Sequence, residues 1–252
     1  MLHRLTLRRG FTLVEWMAAM AILAILASLS VTWMIYGGGR ARVNNALFDL
    51  AALYSTAQLR ALSQGVPHYI VLHQDSGGRI RAALLERPDA PPALAWNALD
   101  LTQGPEVALA FERMRPNGTL ETVNAPLRDQ LTLGASSGPD SGGIAFLDLD
   151  SARLQRPLPA PFNTIALSTP AFTPAEPDQP SRQLLAGCSF CVEGAGLAYG
   201  VIRFNTNGTV EVPTGAGSSG GVLALMPNTL DETHFAPRLL SISAPAGAVR
   251  IF

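Results

Sequence analysis

Glu15 is the residue of this sequence whose position most needs a chemical explanation. It stands directly before residues 16–36, a run of 21 residues without a charge. As a helix this run would span roughly 31 Å at ~1.5 Å per residue, which matches the hydrocarbon core of a bilayer at about 30 Å. A carboxylate at such a place is costly unless it is paired. Glu15 therefore either meets a positive partner or reaches back toward the lipid headgroups.

Cys188 and Cys191 are the only cysteines of the chain. A redox pair of the thioredoxin kind expects a helix start within a βαβ pattern, and a zinc site expects four ligands where only scattered histidines remain. An even cysteine count in an exported chain favours a disulfide. We therefore predict a short structural disulfide between Cys188 and Cys191 that fixes a loop.

Two glycine-rich patterns match catalytic motifs by letter, GxGxxG at 215–220 and GxSxG at 217–221. The first needs a following helix and the second a strand, a turn and a helix, whereas a strand-like run follows here. Asp148 and Asp150 share one face of a predicted strand, and a solvated edge explains them better than a metal site. We predict no catalytic residue, no metal and no cofactor, so the chain is not expected to be an enzyme.

The composition points away from a polyelectrolyte partner. The formal net charge is −1, and the sequence contains no lysine, so nothing in the overall charge signals binding to nucleic acid. Glycine and proline are abundant, with 23 and 19 residues, and charged residues make up only 15%. This balance suits a loop-rich β domain better than a helical one.

Residues 1–10 are short and basic, which predicts a cytoplasmic start and an exported C-terminal part. An ordinary secretory signal is one alternative, and a plain single-span anchor is another. The charge-free run is longer than the usual ~7–15 residues of a signal core, and a signal peptide needs no carboxylate. A plain anchor leaves both Glu15 and the Gly10-Phe11 pair unexplained.

Residues 9–15 read RGFTLVE and resemble the class III signal of type IV prepilins and type II secretion pseudopilins. The resemblance implies cleavage between Gly10 and Phe11 by the inner-membrane prepilin peptidase, which also N-methylates Phe11. It implies that Glu15 serves assembly by pairing with the new terminus of a neighbouring subunit, so that it gains this partner only in the filament. The further implied partners are other pilins or pseudopilins, the inner-membrane assembly platform and inner-membrane lipid.

The helical part of the chain is expected to have two halves. Residues 11–36 would form the transmembrane or filament-core helix, and residues 37–65 its amphipathic continuation. Gly37-Gly38-Gly39 predicts either local melting of the helix or a plain linker. Apolar residues at three- and four-residue spacing predict one buried stripe, formed by Val43, Leu47, Leu50, Tyr54, Ala57 and Ala61.

Residues 66–252 are expected to form a globular β-rich domain with an insertion at about 88–198. Two Asn-Gly turns, at 117–118 and 207–208, support hairpins. The segments that read as strands are Val66–His73, Ile80–Glu86, Val107–Met114, Ile144–Leu149, Thr164–Ser168, Tyr199–Asn205, Val210–Val212, Val222–Met226, Arg238–Ser243 and Val249–Phe252. The predicted fold class is α+β, a long N-terminal hydrophobic helix packed on an antiparallel sheet as in pilins, with a loop-rich insertion.

Two stretches resemble the minor pilin and minor pseudopilin group called GspH/FimT. They are the helix end at 57–62 and the IRFNTNG segment at 202–208. The resemblance implies a minor type IV pilin that enters or primes a pilus near its tip, with a minor pseudopilin of a type II secretion system as the alternative. The chain would be a single-pass inner-membrane protein with a periplasmic C-terminal domain, and later part of a cell-surface filament or periplasmic pseudopilus.

A pilin that binds DNA or a substrate for uptake or adhesion is a second alternative. The DNA motif of similar pilins is a C-terminal Gly-Arg-x-Arg, and this chain reads Gly247-Ala248-Val249-Arg250. The first arginine is thus replaced by Ala248, and no dense basic cluster compensates. DNA is therefore the disfavoured partner.

Overall fold

The computed structural model describes residues 12–74, 79–88, 95–133, 144–149, 154, 157–165, 167, 184–215, 219–227 and 237–252. Two compact units make up the chain, Met1–Gly38 and Gly39–Phe252. The fold is α+β, as predicted, with one long helix followed by antiparallel strands.

Helix α1 runs from Leu13 to Gln64. All six residues of the predicted apolar stripe are buried, and Leu47, Leu50, Ala57 and Ala61 are fully so. The helix ends where Gly65 takes a positive φ of 67°. Its N–H donates to the carbonyl of Ala61 at 3.1 Å, and glycine adopts this left-handed geometry without a Cβ penalty.

The predicted local melting at Gly37-Gly38-Gly39 was wrong, because α1 continues through these residues, and the boundary between the two units falls between Gly38 and Gly39. Each glycine costs about 1 kcal/mol relative to alanine in a helix. Helix growth is cooperative, however, and adds a hydrogen bond for each residue that joins an existing helix. Long helical stretches on both sides therefore carry the helix through the three glycines.

Twelve strands occur among the described residues, and every pairing between them is antiparallel. They are β1 (His68–Gln74), β2 (Ile80–Glu86), β3 (Phe111–Met114), β4 (Leu120–Val123), β5 (Leu127–Leu133), β6 (Ile144–Phe146), β7 (Cys191–Gly194), β8 (Leu197–Phe204), β9 (Val210–Glu211), β10 (Gly220–Pro227), β11 (Arg238–Ser243) and β12 (Val249–Ile251). A short helix α2 spans Pro105–Ala108. Both Asn-Gly turns are confirmed, since they join β3 to β4 and β8 to β9.

The strands form three sheets. The larger sheet has the order β5-β2-β1-β8-β7, with β9 beside β7 on the same side of β8. The second sheet has the order β12-β11-β10-β6, and β3 and β4 pair only with each other. The segment at 88–198, which the sequence predicts as a loop-rich insertion, thus supplies β3 to β7 and adds strands to both main sheets.

The main core lies between α1 and one face of each main sheet. Leu47, Leu50 and Tyr54 of the helix belong to one buried cluster with Ile70 of the larger sheet and Leu223 of the second. The opposite faces are also covered. A second cluster covers the outer face of β10 and β11, and a third covers that of β1 and β8. Burial on both faces explains why β1 and β10 are buried at every position.

Two predicted strands were partly wrong. The segment predicted as Val107–Met114 begins with α2, because Gly104 at φ 111° and Pro105 at the first helical position start a helical turn. Phe162–Thr164 forms a 3-10 turn at the beginning of the strand predicted for Thr164–Ser168. Sequence patterns also missed β4, β5 and β7.

Candidate functional site

Glu15 and Thr12 form a reciprocal hydrogen-bonded cap at the first turn of α1. The backbone N–H and the hydroxyl of Thr12 both donate to Glu15 Oε2, each at 2.9 Å. The backbone N–H of Glu15 donates back to Thr12 Oγ1 at 3.3 Å. This arrangement is a capping box, in which the residue before the helix and the third helical residue satisfy each other's N–H groups. It fixes where the helix begins.

The capping box gives Glu15 hydrogen-bond partners within its own chain, in addition to the partner predicted for it in a filament. Its Oε2 already has a partner within the chain. Its Oε1 accepts no hydrogen bond from any described residue, and the side chain is exposed. A carboxylate has about four acceptor positions, so the cap leaves one oxygen available to an external cation. The predicted cleavage and methylation residues, Gly10 and Phe11, lie outside the described residues.

Residues Leu13–Ser30 of α1 are long and apolar enough to cross a membrane. Their side chains are exposed in the isolated chain, including those of Leu13, Trp16 and Leu23. Exposed apolar surface of this extent is unfavourable in water, and it indicates a lipid or protein environment. The apolar helix is consistent with membrane anchoring.

Cys188 and Cys191 are joined by a disulfide with a Cα–Cα distance of 5.4 Å, and both are buried. The two cysteines contact different sheets. Cys188 forms an isolated β-bridge with Leu223 of β10, whereas Cys191 opens β7 and pairs with Gly200 of β8. The disulfide therefore links the two main sheets over four residues, a role that the cysteine spacing alone did not predict.

Phe190, inside this disulfide loop, fills a space that three glycines leave open. A Cβ on Gly221 would lie 2.5 Å from the Phe190 ring, and one on Gly200 would lie 2.8 Å from it. A Cβ on Gly215 would lie 2.7 Å from the Phe190 Cα. Non-bonded carbon atoms do not approach within about 3 Å of each other in a close-packed interior unless one of them shifts. Gly200 and Gly221 therefore allow the ring to lie between the sheets, and Gly215 allows close approach to the Phe190 backbone.

Hydrogen bonds also hold the loop on both sides. The N–H of Ser189 donates to the carbonyl of Val222 at 3.0 Å, and the N–H of Val222 donates to Ser189 Oγ at 2.9 Å. The hydroxyl of Thr214 donates to the carbonyl of Phe190 and accepts from the N–H of Val201 at 3.0 Å. The loop is thus tied to both sheets by polar contacts as well as by the disulfide.

Tyr199 attaches the segment at 96–99 to the larger sheet. Its hydroxyl accepts from the N–H of Leu99 at 3.0 Å and donates to the carbonyl of Trp96. Burial raises the pKa of the Tyr199 phenol above its ordinary value, with the hydrogen bond from Leu99 opposing the shift. The neutral, donating hydroxyl is therefore the form that the fold stabilises.

The glycine-rich and acidic motifs show no arrangement for catalysis among the described residues. Strand β10 begins at Gly220, so a strand and not a helix follows the GxGxxG letters, and residues 216–218 lie outside the described part. Asp148 is exposed after β6, and Asp150 is outside the described residues. Near the C-terminus, the exposed Arg250 guanidinium lies 5.8 Å from the centroid of the Phe252 ring.

Comparison with known proteins gives one match. Residues 5–31 match the family described as the prokaryotic N-terminal methylation motif. No curated protein and no solved structure gives a significant match. The matched segment contains Gly10 and Phe11, the capping box and most of the apolar helix. This prepilin signal, together with the apolar helix and the antiparallel sheets that follow it, supports a type IV pilin or pseudopilin.

Proposed function

We propose that the chain is a minor type IV pilin of the GspH/FimT kind, cut between Gly10 and Phe11, N-methylated on Phe11 and built into a pilus near its tip. The proposal depends most on one observation, the capping box at the head of an apolar helix inside the methylation motif. A prepilin signal implies processing by prepilin peptidase and assembly with other pilins.

The geometry at Glu15 supports a role in assembly. Cleavage before Phe11 creates an ammonium group, and an apolar filament core makes an unpaired carboxylate costly. Glu15 Oε2 is held by Thr12, which leaves Oε1 to pair with the amino terminus of a neighbouring subunit. The cap also restrains the carboxylate before assembly, so less side-chain freedom is lost when the ion pair forms.

The insertion supports a place near the tip. It covers the outer faces of both main sheets with two further apolar clusters and adds the separate β3–β4 hairpin. A repeated shaft subunit must present the same compact surfaces to many neighbours, whereas a terminal subunit meets fewer. The strand and turn at 202–208 fit the GspH/FimT resemblance.

Mass spectrometry of the protein purified from its native membrane tests the processing step. We expect a mature chain that begins with N-methylated Phe11, and a Gly10→Val variant that keeps residues 1–10. An intact leader in the wild-type protein, or a start at another residue, would contradict the proposal. Quantifying the chain in sheared filaments tests the minor role, which is wrong if this chain is the main component. Loss of protein secretion without loss of pili on deletion would favour a pseudopilin.

Two variants separate the charge of Glu15 from its capping role. Glu15→Gln keeps the cap, because glutamine serves equally at this position of a capping box, but it removes the charge. Thr12→Val keeps the charge and removes the hydroxyl, which donates one of the three hydrogen bonds of the cap and accepts another. We expect Glu15→Gln to abolish incorporation into filaments and Thr12→Val to reduce it less severely, with loss of a cap worth ~1 kcal/mol. Normal incorporation of Glu15→Gln would exclude the ion-pair role.

A further inference from the structure

Two turns of the globular unit have the same residues and the same hydrogen bonds. Asn117-Gly118-Thr119 joins β3 to β4, and Asn207-Gly208-Thr209 joins β8 to β9. In each turn the glycine has a positive φ, 82° at Gly118 and 83° at Gly208. The glycine N–H donates to the carbonyl three residues before it, at 2.9 Å in the first turn and 3.0 Å in the second. The two turns therefore form a matched pair that differs in its surroundings.

The asparagine side chain is held in the same way in both turns. Asn117 Oδ1 accepts from the backbone N–H of Thr119 at 3.1 Å and from its hydroxyl at 2.7 Å. Asn207 Oδ1 accepts from the N–H and the hydroxyl of Thr209 at 3.0 and 2.7 Å. Donors on a carbonyl oxygen stabilise the negative charge that develops there when a nucleophile attacks the carbon. Both amide carbons are thus activated toward the backbone nitrogen of the following glycine, which no Cβ shields.

Attack by this nitrogen leads to deamidation, a reaction that needs only water. The glycine nitrogen loses its proton and its lone pair forms a bond to Cγ of the asparagine. The bond from Cγ to Nδ2 breaks, and Nδ2 takes up a proton and leaves as ammonia, so that a cyclic imide remains. One water molecule then adds to either imide carbonyl and breaks its bond to the glycine nitrogen, which regains a proton. Opening at Cγ gives aspartate, and opening at the main-chain carbonyl gives isoaspartate.

The turn at Gly208 is held closed by its surroundings. Gln58 Nε2 of α1 donates to the carbonyl of Gly208 at 3.0 Å, and a Cβ on Gly208 would lie 3.2 Å from Leu62 of the same helix. Val210, just after the turn, donates its N–H to the carbonyl of Pro245 at 2.8 Å. The glycine N–H has to leave its carbonyl partner before the nitrogen can attack. These contacts therefore raise the free energy of the opened turn.

The turn at Gly118 shows no such support from the part of the chain that the structure describes. A Cβ on Gly118 would meet nothing within 4 Å, and residues 112–120 are all exposed. Among the described strands, β3 and β4 pair only with each other, and an isolated two-stranded hairpin is marginally stable in water. The ion pair between Arg115 and Glu121 lies at the surface, where such pairs stabilise little. This turn therefore opens more easily than the other.

We propose that Asn117 is a site of spontaneous deamidation in the folded protein, and that Asn207, in a turn of the same sequence, is protected by α1. Deamidation replaces a neutral amide by a carboxylate, so the exposed hairpin gains a negative charge as the protein ages. The isoaspartate product also places the side-chain methylene in the main chain before Gly118, which changes the spacing of the turn bonds. The proposal is independent of the pilin function, because the turn and the solvent supply every reacting group.

Peptide mapping of the full-length chain in detergent by mass spectrometry tests the proposal. The protein is incubated at mildly alkaline pH in water enriched in heavy oxygen, which labels only the asparagines that convert during the incubation. We expect aspartate and isoaspartate to form at least about ten-fold faster at residue 117 than at residue 207, a ratio equivalent to ~1.4 kcal/mol and within reach of one hydrogen bond. An acidic form should appear on ion-exchange chromatography at the same rate. Equal rates, faster conversion at residue 207, or no conversion at either would refute the proposal.

Two controls separate the fold from the local sequence. Pro116 precedes the first asparagine and Thr206 the second, so the same incubation is repeated in urea, where we expect similar rates at both residues. A difference that persists in urea would assign the effect to the preceding residue and overturn the structural explanation. Gly118→Ala adds a Cβ beside the attacking nitrogen and should suppress conversion at residue 117. Conversion at the wild-type rate in this variant would exclude the glycine nitrogen as the nucleophile.

Releasing the second turn from α1 should make it reactive. Gln58→Ala removes the bond to the Gly208 carbonyl and should speed conversion at residue 207 about five-fold, as expected for one net hydrogen bond. Ser63→Ala is the matched control on the same helix, since Ser63 is exposed and donates to the carbonyl of Arg60, and it should leave residue 207 protected. Melting temperatures of both variants exclude general unfolding as the cause. An unchanged rate at residue 207 in Gln58→Ala would refute protection by the helix.

Discussion

Replacing Cys188 and Cys191 by alanine should weaken the fold by a small amount that can be worked out from the chain. The disulfide closes a ring of four residues, since the cysteines are three positions apart. Chain entropy for a ring of this size changes by about 6 cal/mol/K, which is about 2 kcal/mol at 25 °C. The two sheets should remain joined, because the bonds from Ser189 and Thr214 to the neighbouring strands do not involve sulfur.

The stability lost with the disulfide can be compared with the stability lost on truncating the Phe190 side chain. Its side chain is 1% exposed and lies against Gly200 and Gly221. Removing a buried phenyl ring costs roughly 3–5 kcal/mol, through lost burial and the cavity that remains. Phe190→Ala should therefore destabilise the protein more than loss of the disulfide does. The order follows from the geometry, in which the ring fills the space between the sheets and the disulfide closes only a short loop.

Urea unfolding of the full-length chain in detergent, followed by tryptophan fluorescence, measures both effects. Ser55→Ala is the matched control, since Ser55 is exposed and bonds only to the carbonyl of Ala51 within α1. We expect no resolvable change for Ser55→Ala, a loss of about 2 kcal/mol for the double cysteine variant, and a larger loss for Phe190→Ala. If the cysteine variant is less stable than Phe190→Ala, the disulfide and not the ring is the main connection between the sheets.

Three further predictions concern the core. Leu50→Ala should cost about 2–5 kcal/mol because Leu50 is fully buried, whereas Leu59→Ala, at a residue 66% exposed, should change stability by less than ~0.5 kcal/mol in the same urea assay. Gly221→Ala should cost about 1–3 kcal/mol because its Cβ would meet the Phe190 ring, and a lower melting temperature would reveal it. Burial lowers the pKa of His68, so the neutral ring stabilises the fold. This stabilisation is present above pH ~6.5, and it is lost as the pH falls through this value toward the pKa of His68 in the folded state. His68→Gln should reduce this dependence of the unfolding free energy on pH.

The helix could be predicted from the sequence because its signals are local. Aliphatic residues at three- and four-residue spacing placed the buried stripe of α1, and Gly65 placed its end. The capping box was equally local, because Thr12-x-x-Glu15 is its usual pattern. It was missed because Glu15 was interpreted only through the cost of burying its charge.

The missed strands share a different physical cause. β4 reads LETV and β5 reads LRDQLTL, and most of their side chains are exposed. Polar sequences of this kind become strands only because another strand pairs with them, and pairing between distant segments is not visible in local patterns. β7 is a further case, since its four residues begin at Cys191 of the disulfide and pair with β8. The link that the disulfide makes between sheets depends on the same nonlocal pairings.

Under the proposed function, the Glu15 carboxylate serves both the free and the assembled subunit. In the isolated chain Oε2 accepts both bonds from Thr12, so the helix start does not depend on assembly. A carboxylate that had to leave the cap to find its partner would lose those bonds on entering the filament, and the ion pair would be weaker by about the cost of a cap. Because Oε1 remains available, the amino terminus of a neighbour can add to the existing bonds. The ion pair that we propose for assembly therefore adds to the cap, and Glu15 keeps its charge without weakening its own helix.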